Sequence, residues 1–502
     1  MATILGLLGY TKSSSGAERL ISAYGNDYHL YNPNLDIWEG QGVPNSSSEK
    51  VYGDVFLDLA FFVNGSNDNR RYDATTWTNE TYAKRAPIAK YIKNFSNRLY
   101  LGYVTYNGNT FTSRVWYTDL PKNNDITYGL EYGTNLVQNS NNATVFSALA
   151  KFKSRGIKVG DPFIILTGTN AGEYNVASVD SETQLTLTEP MKNSATGSSY
   201  WIGGNWFDVV TDDNDILTGL GENSAQLLCF KKESLHRYNG TNLQKVKGVP
   251  GTTSQNSVVN IKDHTYYFHR TGIWRYDGVT SELISRPIQD YIDGMSTDMI
   301  NEVVAWRTGQ SKETYRIYIG DVDNNDVGLE VDKCFLDFDT ITETWSPGSL
   351  PYSIEVTTEF SEQNNKNTYI GGLSGISPTI FQDNKGNSDN EDPIPWMFDT
   401  GWHFPAGPQV EIEITRIQIH SQRGYNLPVK YRLYGTPWKV DKYWKSLGDI
   451  KNRVTEFELR SAKEKPNFAR GINLRVDDSS TTEPPLVERI DIFYKLATVR
   501  SF

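Results

Sequence analysis

The chain repeats itself in its middle. Residues 228–240 read Leu-Cys-Phe-Lys-Lys-Glu-Ser-Leu-His-Arg-Tyr-Asn-Gly, and residues 266–278 read Tyr-Tyr-Phe-His-Arg-Thr-Gly-Ile-Trp-Arg-Tyr-Asp-Gly, an offset of 38 residues. Phe230, Arg237, Tyr238 and Gly240 recur as Phe268, Arg275, Tyr276 and Gly278. Each unit is an apolar run, a polar turn, a second apolar run, and then Asn-Gly or Asp-Gly, residues that tolerate positive φ. The pattern predicts a β-hairpin followed by a tight turn. A hairpin-sized unit recurring at about 40 residues has the spacing of a β-propeller blade.

The same grammar recurs along the chain. In residues 24–40 a strand carries Tyr28 and Leu30, a turn carries Asn32-Pro33-Asn34, and a second strand carries Ile37 and Trp38. Residues 335–346 repeat it, with Asp339 opening the turn and Trp345 following. This aromatic–Asx–turn–Trp order resembles the blade turns of kelch-type propellers: the turn residue satisfies local backbone donors and the Trp packs between blades. Residues 54–73 and 88–120 alternate apolar and polar as half-buried strands do. With 30 Tyr, 12 Trp and 41 Gly in 502 residues, the composition favours short strands and polar turns. The length is too great for one ordinary core, so several domains are expected.

Two stretches depart from the blade pattern. Thr134 to Ser147 is rich in Asn, Thr and Ser and reads as a linker. After it, strands are predicted around 162–166, 172–179 and 184–188, with Tyr200–Gly203 closing a small barrel of about four to six strands. We place this module at 134–203, inserted in a blade loop, where insertions are tolerated. The Gly156-x-x-x-Gly160-Asp161 loop has neither the Lys nor the helix start of a phosphate loop and reads as a turn. Beyond Pro393-Ile394-Pro395-Trp396, residues 396–502 read as a β-sandwich, whose phase slips at Thr415-Arg416 in the manner of a bulge. The expected fold is therefore all-β. The propeller would span 1–133 and 204–395, followed by the C-terminal sandwich. One helical signal stands out: Ser285 could cap a turn presenting Ile288, Tyr291 and Ile292 on one face.

Chemistry-bearing residues are few. Cys229 and Cys334 lie in apolar strand-like runs and read as buried free thiols. Six His are present, with His264/His269 and His403/His420 nearest in sequence, but no hydrolase, zinc or nucleotide motif accompanies them. Arg98 and Arg114 invite an anion-binding reading, and strand-edge pairing with carboxylates is the expected one. Asp321 to Asp326 begins like a calcium loop but has Asp326 where Gly is required, so a solvated hairpin tip is expected. Propeller glycosidases use acidic residues facing the central channel, yet no pair can be chosen here. No catalytic, cofactor or metal site is expected, and no enzymatic role. No run of 18 apolar residues suggests a membrane span, and Met1–Tyr10 lacks the basic leader of a signal peptide. A formal net charge of −11 argues against a protein that grips nucleic acid, though not against one that nucleic acid slides past.

Four stretches carry a family resemblance. They are Phe95-Ser96-Asn97-Arg98-Leu99-Tyr100 running to Arg114-Val115-Trp116-Tyr117; Leu227 to Leu235; Tyr267 to Gly278 with Ile284 to Ile288; and Tyr369-Ile370-Gly371-Gly372 with Trp396 downstream. Together they resemble the tail-tube nozzle proteins of short-tailed bacteriophages, including tail proteins that plug or stabilise packaged DNA. The resemblance covers about residues 88–400 outside the inserted module. It implies a virion structural protein made in the host cytoplasm, in a homo-oligomeric ring, a hexamer, at the distal end of the tail tube. Its implied partners are portal, adaptor or other tail proteins, fibres or spikes, and double-stranded DNA crossing the ring without sequence-specific binding. A carbohydrate-binding propeller module of a receptor-binding tail protein is the alternative, with Trp and Tyr stacking on sugars.

Overall fold

The computed structural model describes residues 3–496 apart from 34, 36, 47, 82–85, 107, 122–125, 309–312, 351, 363–364, 375–376, 384–387, 390–391, 394–395, 402, 408, 423–426, 435–443, 460–467 and 479–486. The chain divides into two compact units, Met1–Asn384 and Lys385–Phe502.

Asx residues set the turns of the first unit. Asp277 Oδ1 accepts from the backbone N–H of Val279 and Thr280, both at 2.8 Å. Asn239 does the same for Thr241 and Asn242, Asp73 for Thr75 and Thr76, and Asp339 for Ile341 and Thr342. In each case the side chain stands in for the missing backbone partner of a tight turn. The repeat pair goes further. Tyr238 Oη donates to the Gly240 carbonyl at 2.8 Å, and Tyr276 Oη to that of Gly278 at 2.7 Å. These turns join the third and fourth strands of antiparallel sheets.

Seven such sheets follow one another, six with four strands and the last with three. Their first strands are Ile4–Lys12, Tyr52–Phe56, Ile88–Phe95, Leu217–Asn223, Val259–Ile261, Val304–Thr308 and Ser353–Glu362. Each of these touches the next, and the seventh touches the first. The result is a seven-bladed β-propeller with the first strands around its axis. At the closure Gly9 N–H donates to Thr358 Oγ1 at 3.0 Å. Aromatic side chains fill the gaps between blades. Phe230 of blade 4 meets Tyr267 of blade 5 at 5.1 Å between ring centroids. Tyr315 of blade 6 donates to the Ser257 carbonyl at 3.0 Å. Trp345 of blade 6 donates to the Ile284 carbonyl at 3.0 Å, the inter-blade role that its turn pattern predicts.

Blade 3 is interrupted. Its third strand is Asn109–Tyr117 and its fourth is Trp206–Asp208. Between them the chain builds a closed six-stranded barrel from Leu130–Gln138, Thr144–Ser147, Pro162–Ile165, Gly172–Val179, Gln184–Leu187 and Ala195–Gly203. The expected linker at Thr134–Ser147 is thus corrected: it is two barrel strands. Polar side chains there, such as exposed Thr134, suit a strand with one wet face, while Leu136 and Val145 enter the core. Inside, Phe163 stacks on Tyr200 with 4° between ring planes. Tyr200 Oη bonds to Ser147 Oγ at 2.8 Å. The Ser285 cap is also corrected. The segment is a 3-10 turn, Arg286–Ile288, leading into the helix Gln289–Asp293, with no side-chain cap. Ser285 Oγ accepts from Ile273 N–H instead, because blade 5 offers a buried strand donor.

The second unit is a sandwich of two sheets. One contains Trp396–Asp399, Gly471–Asp478, Leu427–Tyr434 and Lys445–Ile450; the other is built on Ile412–Ser421, flanked by Val454–Glu458 and Val487–Leu496. Ile412, Ile414, Ile417 and Ile419 of one sheet share a core with Val429, Ile472, Leu474 and Val476 of the other. The register slips between Ile414 and Arg416, where the sequence breaks its alternation. The chain is all-β: a propeller, an inserted barrel and a sandwich.

Candidate functional site: the axial cavity of the propeller

The first strands of the blades enclose a cavity of about 280 Å³ on the propeller axis. Its polar lining comes chiefly from Asp54, Lys93, Glu222, Gln255, Asn256 and Asn260. Lys93, on the first strand of blade 3, reaches Asp54 of blade 2 at 3.7 Å and Glu222 of blade 4 at 3.3 Å. Burial pushes the Lys93 ammonium down, but the two carboxylates outweigh it and the net shift is upward. Asp54 is fixed further by the N–H of Asn94, at 2.7 Å. Close by, Lys50, next to the cavity-lining Val51, pairs with Glu302 and Glu355 at 3.3 and 3.5 Å.

Gln255 adds a further tie. Its Oε1 accepts from Leu220 N–H at 2.6 Å, and its Nε2 donates to the Leu220 carbonyl at 2.9 Å. That pair of bonds ties blade 4 to the short 3-10 turn Gln255–Ser257 before blade 5. A methyl on Gly219 would collide with the Gln255 amide, which explains the bare backbone there. At about 30 Å³ per water, the cavity has room for roughly nine waters. It is a polar pocket tied across by ion pairs.

The residues singled out in the sequence do not converge on this cavity. Arg114 binds Asp208 of the next strand through two bonds, at 2.8 and 2.9 Å. Its guanidinium lies between Trp206 and Phe111, 3.6 and 4.1 Å from their ring centroids. Arg98 donates to the Thr118 carbonyl at 2.5 Å and lies over the Tyr117 ring. Both arginines hold blade 3 together, and for Arg114 the carboxylate pairing is as expected. Cys229 and Cys334 are buried free thiols. Burial raises both, Cys334 to about 12, so neither is a nucleophile near neutral pH.

His264 and His269 stand at the two ends of one strand. His269 Nε2 lies 3.6 Å from Glu233, and His420 pairs with Asp491 at 3.0 Å. His403 bridges to Ile472 by backbone. Asp321–Asp326 runs along the strand Thr314–Asn324 to the exposed tip of its hairpin. No group of three or more His, Cys, Asp or Glu suited to a metal occurs among the described residues. The sequence missed the Asp54–Lys93–Glu222 cluster. Each residue lies in or next to a recognisable strand, but only the order of the blades brings them together.

No family model and no curated protein matches the chain. Among solved structures it is similar to "Phage phi92 endosialidase", at 12% sequence identity and a TM-score of 0.23. The alignment covers 68% of this chain and 52% of that one, so this chain spans about half of its length. A likeness at this level carries no argument about activity. No described helix is long and apolar enough to cross a membrane.

Proposed function

We propose that this chain is a structural protein of a bacteriophage tail, and that its copies form the nozzle ring at the distal end of the tail tube. In this reading the ring retains packaged DNA and opens to release it. The observation that supports it is the partition of charge. Residues 1–384 contain 31 Lys and Arg against 44 Asp and Glu, whereas residues 385–502 contain 18 against 16. The whole acidic excess therefore belongs to the unit that contains the propeller. A wall of such propellers repels phosphate and lets a duplex pass without adhesion. The axial cavity, narrow and crossed by the Lys93 ion pairs, agrees with this use. DNA would run past the propellers, between copies around a ring, and a ring requires heterologous interfaces that close. Loops narrowing the ring would form the gate, shifted by host attachment. Portal or adaptor proteins above and fibres or spikes alongside are the partners of this arrangement.

Electron microscopy of the purified protein and of virions, with symmetry analysis, tests the proposal. The expected result is a six-fold ring at the tail tip, with a closed axial opening before ejection. A monomer that never assembles, or a trimer on a peripheral fibre, would overturn it.

A further inference from the structure

Among the described residues blade 7 has three strands, whereas the other six blades have four. No strand pairs with the outer edge of its last strand, Ser377–Gln382, among the described residues. Blade 1 does carry a fourth strand, Ile37–Pro44. Blade 1 faces the described strands of blade 7 across the closure. A cleft of about 310 Å³ lies there.

The register of blade 1 assembles one wall. Ser22 stands opposite His29, and His29 opposite Gly40, while Ile4 stands opposite Tyr24. Tyr24 lies two residues from Ser22, and Trp38 two from Gly40, so strand alternation puts Ser22, Tyr24, His29 and Trp38 on the same face. Blade 7 supplies Pro378 and Ile380. The aromatic rings are braced: Tyr24 meets His29 edge-on at 5.5 Å, and Trp38 meets Tyr31 at 5.3 Å.

Three polar groups line this cleft without an internal partner. Ser22 is 2% exposed, and its Oγ has no hydrogen-bond partner. The Tyr24 hydroxyl and the His29 ring nitrogens make no hydrogen bond with the described residues. A buried hydroxyl left unpaired costs stability unless something from outside meets it. The lining contains no Asp, Glu, Lys or Arg, so nothing here selects a charged ligand. Aromatic and aliphatic walls with a few hydroxyl and imidazole groups suit a molecule that is apolar on its faces and rich in hydroxyls at its edge.

We propose that this cleft is a binding subsite for a neutral pyranose, one ring of an uncharged glycan, stacked against Trp38 and Tyr24 and hydrogen-bonded by Ser22, Tyr24 and His29. The site is separate from the axial cavity and does not depend on the nozzle reading. The test titrates the full-length protein with glucose, galactose and N-acetylglucosamine, followed by tryptophan fluorescence and saturation-transfer NMR, and then with an array of neutral oligosaccharides. Saturable binding is expected, weakened about tenfold or more by Trp38→Ala. Ser22→Val should weaken it several-fold without lowering the melting temperature, and His29→Gln should also weaken it. These two variants leave the aromatic wall in place if Trp38→Ala fails to fold.

No saturable response to any of these sugars would overturn the proposal. So would binding unchanged by all three substitutions. A third contrary outcome is that the cleft takes an apolar side chain from a second copy. Trp38→Ala would then lower self-association while sugars failed to compete. Ring assembly is read by microscopy, so failure here leaves that question separate.

Discussion

Arg114 and Asp208 lie 94 residues apart in the chain and grip each other through two parallel bonds, Nε to Oδ1 at 2.8 Å and Nη2 to Oδ2 at 2.9 Å. One sits on the third strand of blade 3 and the other on the fourth, with the whole barrel between them in sequence. The pair therefore re-forms the blade after the excursion. Arg114→Ala removes the fork and the stack on Trp206 and leaves Asp208 unpaired at the edge. We expect a loss of about 2–3 kcal/mol in urea melts. Arg114→Lys should recover only part of it, because an ammonium neither forks nor stacks. Full recovery by Lys would contradict this account.

The two repeat units make a sharper comparison. Tyr276 Oη donates to the Gly278 carbonyl and contacts Gln226 Oε1 at 2.8 Å, whereas Tyr238 Oη meets the Gly240 carbonyl and the Tyr117 side chain of blade 3. Each Tyr→Phe change should cost about 1 kcal/mol, with Tyr276→Phe the larger, since it also strands a glutamine from blade 4. Denaturant midpoints of the single and double variants check this. Similar costs that add would mean that the turns act as independent copies.

Lys93 faces two carboxylates, and its removal leaves them to repel each other. In Lys93→Met, Asp54 and Glu222 lose the cation that both reach. Their partly exposed setting limits the loss to about 1–2 kcal/mol at neutral pH. Neutralising the carboxylates as well, in the triple variant Lys93→Met, Asp54→Asn, Glu222→Gln, should return most of that loss. Urea melts of the single and triple variants measure it, and a triple variant no more stable than Lys93→Met would refute the pairing.

His236 gives the fold a pH dependence. Burial, with Lys231 and Lys245 adding to it, lowers its pKa to about 4, and its Nε2 lies 3.0 Å from Ser234 Oγ. The unfolded chain binds this proton near pH 6.5, so the folded state loses stability as pH falls from about 6.5 toward 4. Converting the shift gives on the order of 3 kcal/mol over that window. His236→Gln should flatten this segment of the stability–pH curve. An unchanged slope would place the titration elsewhere.

These features were legible in the sequence to different degrees. Asn239 and Asp277 announced their turns because an Asx side chain satisfies its own neighbours, and such local bonding leaves a local trace. The slip at Thr415-Arg416 showed for the same reason, since a bulge interrupts alternation wherever it falls. Thr134–Ser147 did not show as strand. Thr134 and residues 139–142 are exposed while the polar Gln138 and Ser147 are buried, so the stretch lacks a clean alternation, and only closure against Ala195–Gly203 and Gln184–Leu187 makes strands of it. Ser285 looked like a cap because Ile288, Tyr291 and Ile292 follow it at helical spacing. A strand donor nearby in space took its hydroxyl. The Asp54–Lys93–Glu222 cluster and the rim cleft depend on which blade neighbours which, and no spacing along the chain encodes that. The sequence also offers an Asn- and Asp-rich loop over 384–392, before Pro393, and it lies largely outside the described residues.

The barrel leaves blade 3 and returns to it at one point. Leu130 pairs with Gly203, and Trp116 of the blade holds the Tyr128 carbonyl just before the departure, at 3.0 Å. Both ends of the excursion are thus stapled side by side onto the same blade. The barrel is in effect a cassette: it could be shortened, exchanged or deleted by joining Tyr128 to Asn205, and the seven-fold circuit would keep its order. Change in what this protein meets at that blade would then leave the geometry of the propeller as it was.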